Sequence, residues 1–231
     1  MRMAHVFLYC DTPLRIPGEV LGSHHLHLRD ERGCPVIPAG HLSRAFGATV
    51  SEDGRLLALC VRALRGAFAW VCPHAAATDV ARLAGVEIPS PEEGMLAASD
   101  AVELGEGAVI EGTIWPVRVD GAVARLAEWL SGNALPRGET FEYWREAFST
   151  RMMVASDADF AALLETATIS EGRTALDERG VSTALRREEW VPAESLFSTR
   201  LESGSVPERV RLGQGATVGR GWMCAVVLES E

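Results

Sequence analysis

The most constraining feature of this sequence is a glycine-rich segment near its carboxyl end, set between two strand-like runs. It extends from Arg211 to Trp222 and contains Gly213, Gly215, Gly219 and Gly221. Glycine adopts positive φ angles at little cost, so the spacing predicts a turn in which backbone amides approach a ligand closely. Successive N–H groups suit a phosphate, to which Thr217 and Arg220 add a hydroxyl and a cation. The alternative is a mobile hairpin whose glycines only fill turn positions.

Two long apolar segments predict the centre of a sheet. Residues 55–64 and 66–72 are strand-like and are joined by Arg65 and Gly66, which indicates a hairpin. Helical periodicity is present at 122–130 and 157–164, and a shorter helix with Thr78 as its cap is predicted over 78–85. At 231 residues with 47% hydrophobic composition, the chain is interpreted as a single α+β domain over 1–231.

Two segments lack the apolar content of a core. Residues 86–105 are rich in proline, glutamate and serine, and we predict a surface loop insertion there. Residues 168–190 form two polar arms around the turn signal at 177–180, which predicts a long hairpin. Because little apolar surface lies near its tip, we expect this hairpin to project from the body.

The charge composition restricts the kind of phosphate contact the chain can make. The formal net charge is −10, which argues against a simple nucleic-acid binder, and all 22 basic residues are arginine. Lysine chemistry, whether a Schiff base or a Walker loop, is therefore excluded, and any phosphate contact is made by a guanidinium fork. Arginines group along the chain at Arg62 and Arg65, Arg186 and Arg187, and Arg209, Arg211 and Arg220.

A second candidate anion site follows Pro38. The sequence Pro38-Ala-Gly-His predicts a turn that enters a helix near His41, and a helix start presents free N–H groups with a partial positive charge. Every helix has such an end, so this signal is weak by itself.

Clustered histidines form a third candidate site. His24, His25, His27 and Asp30 lie within seven positions, and imidazole is the natural general acid or base near neutral pH. Three interpretations remain open: a polar loop without function, a metal site, and a role beside a nucleic-acid backbone.

The remaining signals concern cysteines and targeting. Five widely spaced cysteines match neither a disulfide framework nor a zinc site, so no metal is assigned. Cys10, Cys60, Cys72 and Cys224 lie in predicted strands, where buried thiols are expected. The first residues lead directly into a strand pattern, and no apolar run could span a bilayer. We therefore expect a cytoplasmic protein without a membrane partner.

Several segments together resemble the RAMP superfamily of CRISPR effector proteins, and within it the repeating backbone subunit of the type III-B (Cmr) complex. The resemblance covers nearly the whole chain in the family's order. Its segments are 12–16 (TPLRI), 33–40 (GCPVIPAG), 54–71 (GRLLALCVRALRGAFAWV), 188–197 (EEWVPAESLF) and 212–221 (LGQGATVGRG).

The resemblance implies an RRM-like, ferredoxin-like core whose copies stack along a CRISPR guide RNA, beside target RNA and other effector subunits. Guide phosphates would contact the glycine segment and the helix after Pro38, and the 168–190 hairpin would be a thumb that interrupts the guide–target duplex. The candidate RNA-binding residues are His41, Ser43, Arg44, Arg62, Arg65, Arg179, Gly213, Gly215, Thr217, Gly219, Arg220 and Gly221. No cofactor is implied apart from a divalent metal for cleavage.

Two departures from the family pattern bear on activity. The family carries an aspartate in the loop after its first strand that cleaves target RNA, whereas the matching positions here hold His24 and His25. The helix start reads Pro-Gly-Ser-Ser-Leu-Lys-Gly in the family, and Ser43 stands here in place of the lysine, with Arg44 one step on. We expect a subunit that binds RNA without cutting it, with His24 and His25 as candidate catalytic residues if it does cut.

Two alternative functions remain from the sequence. One is a stand-alone RNase or phosphoesterase that depends on the histidines or on a metal, and the other is a scaffold protein that binds no nucleic acid.

Overall fold

The computed structural model describes residues 3–105 and 107–228 and confirms the α+β class. The strands are β1 (Ala4–Cys10), β2 (Pro17–Leu21), β3 (His24–His27), β4 (Val36–Ile37), β5 (Thr49–Val50), β6 (Gly54–Ala63), β7 (Ala67–Pro73), β8 (Met95–Ala97), β9 (Gly107–Ile110), β10 (Thr113–Val119), β11 (Met152–Ala155), β12 (Ile169–Leu176), β13 (Ser182–Trp190), β14 (Leu196–Ser203), β15 (Arg209–Arg211) and β16 (Trp222–Leu228). The α-helices are α1 (Ala39–Phe46), α2 (His74–Ala81), α3 (Gly121–Asn133), α4 (Glu142–Arg151) and α5 (Asp157–Ala167).

The larger sheet closes partly on itself. In the described residues, β6, β7, β11, β8, β10 and β9 are hydrogen-bonded in that order, and β9 returns to β6 through the pair Ala63 and Ile110. The open side of β6 continues through β14, β1 and β16 to β15. The predicted hairpin at 55–72 is therefore confirmed as β6 and β7. Strand β6 belongs both to the ring of strands and to the open part of the sheet.

Strand alternation divides the core into two layers. On β7, Ala69 and Val71 point to one cluster of buried residues and Trp70 and Cys72 to the other. The first cluster is covered by α1 and α5, and the second by α2, α3 and α4, because each helix directs an apolar stripe at the sheet. The free thiols of Cys10 and Cys72 are buried, as expected from their strand positions, whereas those of Cys60 and Cys224 are only half-buried.

A second, smaller sheet carries the long hairpin. Its order is β12, β13, β3, β2, and β13 pairs in parallel with β3 through Arg187 with His24 and Glu188 with His25. The predicted hairpin at 168–190 is present as β12 and β13, and its turn at 177–181 is exposed. The histidines therefore lie on a strand that pairs with the base of this hairpin.

Two local predictions were wrong. Residues 95–97, assigned to the surface insertion, form the buried strand β8 between β11 and β10. Helix α2 begins at His74, immediately after Pro73, so Thr78 lies inside it and does not cap it. Strand β8 forms because β10 and β11 pair with it, and α2 begins early because Pro73 directly precedes it; each outweighs the local sequence pattern. Across the described helices, none is long and apolar enough to cross a membrane.

The connection from β13 to β14 contains a carboxyl group whose protonation favours the native state. Glu194 has a left-handed backbone with φ 65°, its N–H donates to the Cys10 carbonyl at 2.7 Å, and its carbonyl accepts from Trp70 Nε1 at 2.7 Å. Burial raises the pKa of its half-buried side chain to about 7. Between the ordinary value of 4.5 and this value, the native state holds a proton that the unfolded chain has lost.

The wild type should therefore lose stability as pH rises from about 4.5 to 7, because Glu194 gives up its proton in the native state. We predict that Glu194→Gln, which has no carboxyl group to ionise, does not show this loss. With allowance for solvent screening at this half-buried site, the variant should melt roughly 2–4 °C higher than wild type at pH 8, and the gap should close towards pH 4.5. Thermal unfolding at both pH values measures this, with the exposed Glu202→Gln as the matched control. An equal pH dependence in wild type and Glu194→Gln would contradict the assignment.

Candidate nucleic-acid interface

The glycine segment forms the predicted turn between β15 and β16. Gly213, Gly215, Gly219 and Gly221 all have left-handed backbones, with φ values of 71°, 82°, 78° and 80°. We call residues 212–221 the glycine loop. Helix α1 packs against β15, so the two candidate anion sites lie on neighbouring elements.

Close packing explains most of these glycines. A Cβ atom at Gly213 would lie 2.2 Å from the carbonyl oxygen of Arg15, and one at Gly221 would lie 2.0 Å from that of Leu212. At Gly215 it would lie 2.7 Å from Cη2 of Trp190, whereas the space beside Gly219 is open. The loop is therefore held tightly against residues 13–15 and against the base of the long hairpin.

The backbone amides of the glycine loop are used differently from the prediction. Several N–H groups that were expected to line a phosphate hollow donate to carbonyls of the chain itself: Gln214 to Arg15, Val218 and Arg220 to Gly215, Gly219 to Ala216, and Gly221 to Pro13. These donors are satisfied within the fold. Any phosphate contact of the loop must come from its other amides, from the exposed Thr217, or from arginine side chains.

The start of α1 is likewise partly occupied. The N–H of Ala39 donates to Asp53 Oδ1 at 2.8 Å, and that of His41 donates to the Pro38 carbonyl at 2.9 Å. Ser43 Oγ accepts from the N–H of Val50 at 3.1 Å. The side chains of His41 and Arg44 are exposed, so they are the groups that α1 offers to a ligand.

Arg220 connects the glycine loop to the long hairpin. Its guanidinium makes a two-pronged contact with the Glu171 carboxylate on β12, in which Nη1 donates to Oε2 at 2.8 Å and Nη2 donates to Oε1. It also lies 4.3 Å from the ring centroid of Trp190. The hydrogen bond from Arg220 lowers the pKa of Glu171. We call Arg15, Gly215 and Arg220, with Glu171 and Trp190, the junction.

Three other predicted arginines, Arg62, Arg65 and Arg179, bond to groups outside the junction. Arg62 donates from Nε and Nη2 to Glu111 Oε2 at 2.7 and 2.5 Å, and Arg65 Nη1 donates to the Glu103 carbonyl at 2.7 Å. Arg62 also lines a cavity of about 440 Å³ that reaches the start of β12. Arg179 is exposed in the hairpin turn, where its N–H donates to Asp177 Oδ1 at 2.9 Å.

His24 and His25 line a cavity of about 620 Å³ between β3, α5 and the hairpin base. Arg29, Arg187, Glu165 and Glu189 line the same cavity. His27 is buried, its Nδ1 accepts from the Ile16 N–H at 3.3 Å, and burial lowers its pKa to about 4. Among the residues that the structure describes, no three His, Cys, Asp or Glu side chains are grouped so that they could hold a metal ion.

Sequence reasoning missed the buried carboxylates at the hairpin base. Glu188 is 5% exposed and lies 2.7 Å from Arg173 Nε and 3.1 Å from Arg186 Nε. Glu189 is 8% exposed and contacts Arg29 and the N–H of His27. The available signal was the pair of glutamates directly before Trp190, at the end of an otherwise polar strand.

Known structures share this fold over the whole chain. The sequence matches no protein-family model and no curated protein. A crystal structure of Cmr4 matches with a TM-score of 0.72 and 20% identity, covering 100% of both chains. Oligomeric Cmr4 from Pyrococcus furiosus matches with a TM-score of 0.72 and 20% identity, covering 100% of this chain and 99% of that one.

A chain of a type III-B Cmr-beta complex bound to cognate target RNA also matches, with a TM-score of 0.71 and 15% identity, covering 98% of this chain and 97% of that chain. The chain therefore has the fold of Cmr4 from end to end. The predicted resemblance to the Cmr backbone subunit is confirmed at the level of the fold.

We predict that Gly215→Ala destabilises the protein more than Gly219→Ala. Both positions have left-handed backbones, so each substitution should cost about 1–2 kcal/mol from backbone strain. Only the Gly215 side chain would collide with Trp190, which should add about 1–3 kcal/mol. Urea unfolding of the two variants measures the difference, and equal losses of unfolding free energy would mean that the loop does not rest on Trp190 in solution.

Proposed function

We propose that this chain is an RNA-binding backbone subunit of a type III CRISPR ribonucleoprotein effector, which acts in the cytoplasm in antiviral defence. The observation that carries the proposal is the end-to-end likeness in fold to Cmr4 and to a chain of the Cmr-beta complex. In this role an RRM-like core stacks with further copies of itself, holds the phosphates of a guide RNA, and works with the other effector subunits on target RNA.

The distribution of arginine supports RNA binding in spite of the negative net charge. Arg44 on α1 and Arg179, Arg186 and Arg187 on the long hairpin have exposed side chains. A guanidinium fork bonds two phosphate oxygens at once, so a few well-placed arginines supply a local basic track on an acidic molecule. Acidic residues elsewhere remain free to face solvent or neighbouring subunits.

The long hairpin is the proposed thumb. Its base is held by buried ion pairs, while its turn is exposed and stabilised locally by Asp177, whose side chain accepts from the N–H groups of Arg179 and Val181 at 2.9 Å. A hairpin with a fixed base and an exposed tip is suited to separate segments of a guide–target duplex.

On cleavage, we propose that this subunit binds target RNA without cutting it, because the family resemblance matches His24 and His25 to the position of the family's loop aspartate. The second candidate function, histidine-dependent RNA cleavage, is favoured by one observation: His24 and His25 share their cavity with Arg29 and Arg187. Imidazoles for proton transfer beside a cation for a phosphate are the groups that such a reaction needs. The β2–β3 hairpin that carries these histidines also carries one carboxylate, that of the exposed Glu19 on β2.

We predict that the double substitution Arg44→Ala with Arg220→Ala weakens guide-RNA binding by at least tenfold at moderate salt, because each arginine removed takes away a charge-assisted phosphate contact. Fluorescence anisotropy with labelled guide RNA measures the affinity, and the slope of log affinity against log salt should fall by about 2. The exposed Arg82, which directly follows α2 and pairs with Asp79, provides the control substitution Arg82→Ala. Unchanged affinity in the double variant would favour the scaffold alternative.

For cleavage, we predict that a reconstituted wild-type complex leaves matched target RNA intact at the sites this subunit contacts. His24→Ala with His25→Ala should then change nothing on a denaturing gel, and His74→Ala serves as the control. Site-specific cutting by wild type that falls by about 10²-fold or more in the double variant would instead establish the histidines as catalytic. Cutting by the isolated chain would indicate the stand-alone RNase.

A further inference from the structure

The cavity beside the base of the long hairpin is lined by neither the glycine loop nor α1. It measures about 440 Å³, within the range of roughly 300–1,000 Å³ that is typical of ligand-binding clefts. The end of β6, the start of β7, the chain from the end of α5 to the start of β12, and Pro192 line it. It therefore lies where the ring of strands meets the smaller sheet.

Most of the wall of this cavity is apolar. Its apolar lining residues are Val61, Phe68, Ala167, Ile169 and Pro192. An apolar side chain that enters the cavity leaves water, which favours binding by about 25 cal/mol for each Å² buried. The cavity therefore fits an apolar or aromatic side chain of a ligand.

Other aromatic rings hold Phe68 in place. The centroid of its ring lies 5.3 Å from those of Trp70 and Trp144, and the guanidinium carbon of Arg151 lies 4.9 Å from it. Because these contacts fix the ring, Phe68 presents a rigid apolar surface to the cavity. Aromatic side chains and arginine are enriched at protein–protein interfaces.

Arg62 adds one fixed cation to the lining of the cavity. Both carboxylate oxygens of Glu111 accept from it: Oε1 from its backbone N–H at 2.7 Å, and Oε2 from Nε at 2.7 Å and Nη2 at 2.5 Å. The Glu111 side chain is 4% exposed, whereas that of Arg62 is 82% exposed. Within the described part of the chain, Arg62 Nη1 has no hydrogen-bond partner. The guanidinium is therefore held in one orientation and can donate to a further carboxylate.

Exposed apolar side chains continue beyond the end of β6. Leu64, which directly follows β6, is 68% exposed, and its N–H donates to the Val109 carbonyl on β9 at 3.0 Å. Ile114, opposite Val109 in the β9–β10 register, is 76% exposed, so these two side chains lie on one face of the sheet. Exposed apolar surface of this kind marks sites at which a protein segment binds.

The charges around the cavity favour a protein segment over RNA. Arg62 is the one arginine among the described residues that line it, so a chain of phosphates would find a single cation there. Glu142 and Glu146 are exposed on α4, the helix whose Trp144 contacts Phe68, and like charges repel a phosphate. One carboxylate next to one apolar side chain matches the cavity better.

We propose that this cavity is a docking site for an acidic segment of a partner protein. One apolar or aromatic side chain of that segment enters the cavity beside Phe68, and a neighbouring carboxylate accepts from the Arg62 guanidinium. The site goes beyond RNA binding and does not depend on it. It assigns Arg62, a candidate RNA-binding residue from the sequence, to a contact with protein.

The test measures binding of a fluorescein-labelled peptide, Gly-Ser-Glu-Phe-Glu-Ser-Gly, to the purified full-length chain by fluorescence anisotropy. We expect a Kd below about 1 mM. One comparison peptide has lysine in place of both glutamates, and the other has serine in place of phenylalanine. Each should bind about tenfold more weakly, because the first loses the charge-assisted contact and the second loses the apolar burial.

Two substitutions test the residues of the site. Arg62→Gln should weaken binding of the glutamate peptide about three- to tenfold and remove the preference for it over the lysine peptide. Thr166→Phe, at an exposed position on α5 that lines the cavity, should fill the cavity and weaken binding at least tenfold. The matched controls are Arg137→Gln and Ala162→Phe, at exposed positions outside the cavity. Melting temperatures within about 2 °C of the wild type show that a variant is folded.

Four other results would overturn the proposal. They are no binding of the glutamate peptide, equal binding of all three peptides, a folded Thr166→Phe variant that binds the peptide as the wild type does, and an Arg62→Gln variant with unchanged affinity. If Thr166→Phe weakens binding of a labelled single-stranded RNA and not of the peptide, the cavity takes a nucleobase. If it abolishes self-association in sedimentation velocity while the wild type binds no peptide, a second copy of the chain occupies the cavity. The RNA affinity of the wild type tests the proposed function separately.

Discussion

The burial of two consecutive carboxylates, Glu188 and Glu189, is the constraint on which the arrangement of the hairpin depends. Removing a carboxylate from water costs several kcal/mol unless a cation and hydrogen bonds replace the solvent. Because neighbouring residues of a strand point to opposite faces, one cation cannot serve both. Glu188 therefore takes Arg173 and Arg186 on one face, and Glu189 takes Arg29 and the His27 N–H on the other.

These ion pairs determine where Trp190 lies. With the two glutamates fixed, the indole is held where Gly215 and Arg220 meet it from the glycine loop. The smaller sheet is thereby joined to the carboxyl-terminal hairpin of the larger one, although the two sheets share no strand pairing in the described residues. The turn of the long hairpin is exposed and is stabilised locally by Asp177, whereas its base is packed against the glycine loop.

The same chemistry accounts for an acidic molecule that carries arginine-rich surfaces. Arg62 pairs with Glu111 and Arg220 with Glu171, so some of the acidic residues form ion pairs with the arginines. Net charge is therefore a poor guide to what such a surface binds, because the local pairing and the exposure of each guanidinium decide it. A fold shared at about 20% identity agrees with the rule that apolar pattern and volume, rather than individual residues, define a core.

The sequence by itself determined the features that depend on neighbours along the chain. The β6–β7 hairpin, the turn at 177–180 and the left-handed glycines follow from strand alternation and turn chemistry within a few residues.

Only the tertiary structure decided partners that are far apart in sequence. Strand β8 exists because β10 and β11 flank it, the ring closes through Ala63 and Ile110, and the loop amides were taken by Arg15, Pro13 and the loop itself rather than left for a phosphate. Arg220 met Glu171, 49 positions away. Local conformation depends on short-range sterics, whereas the choice of a charge or hydrogen-bond partner depends on which groups the whole fold buries together, and no short stretch of sequence encodes that.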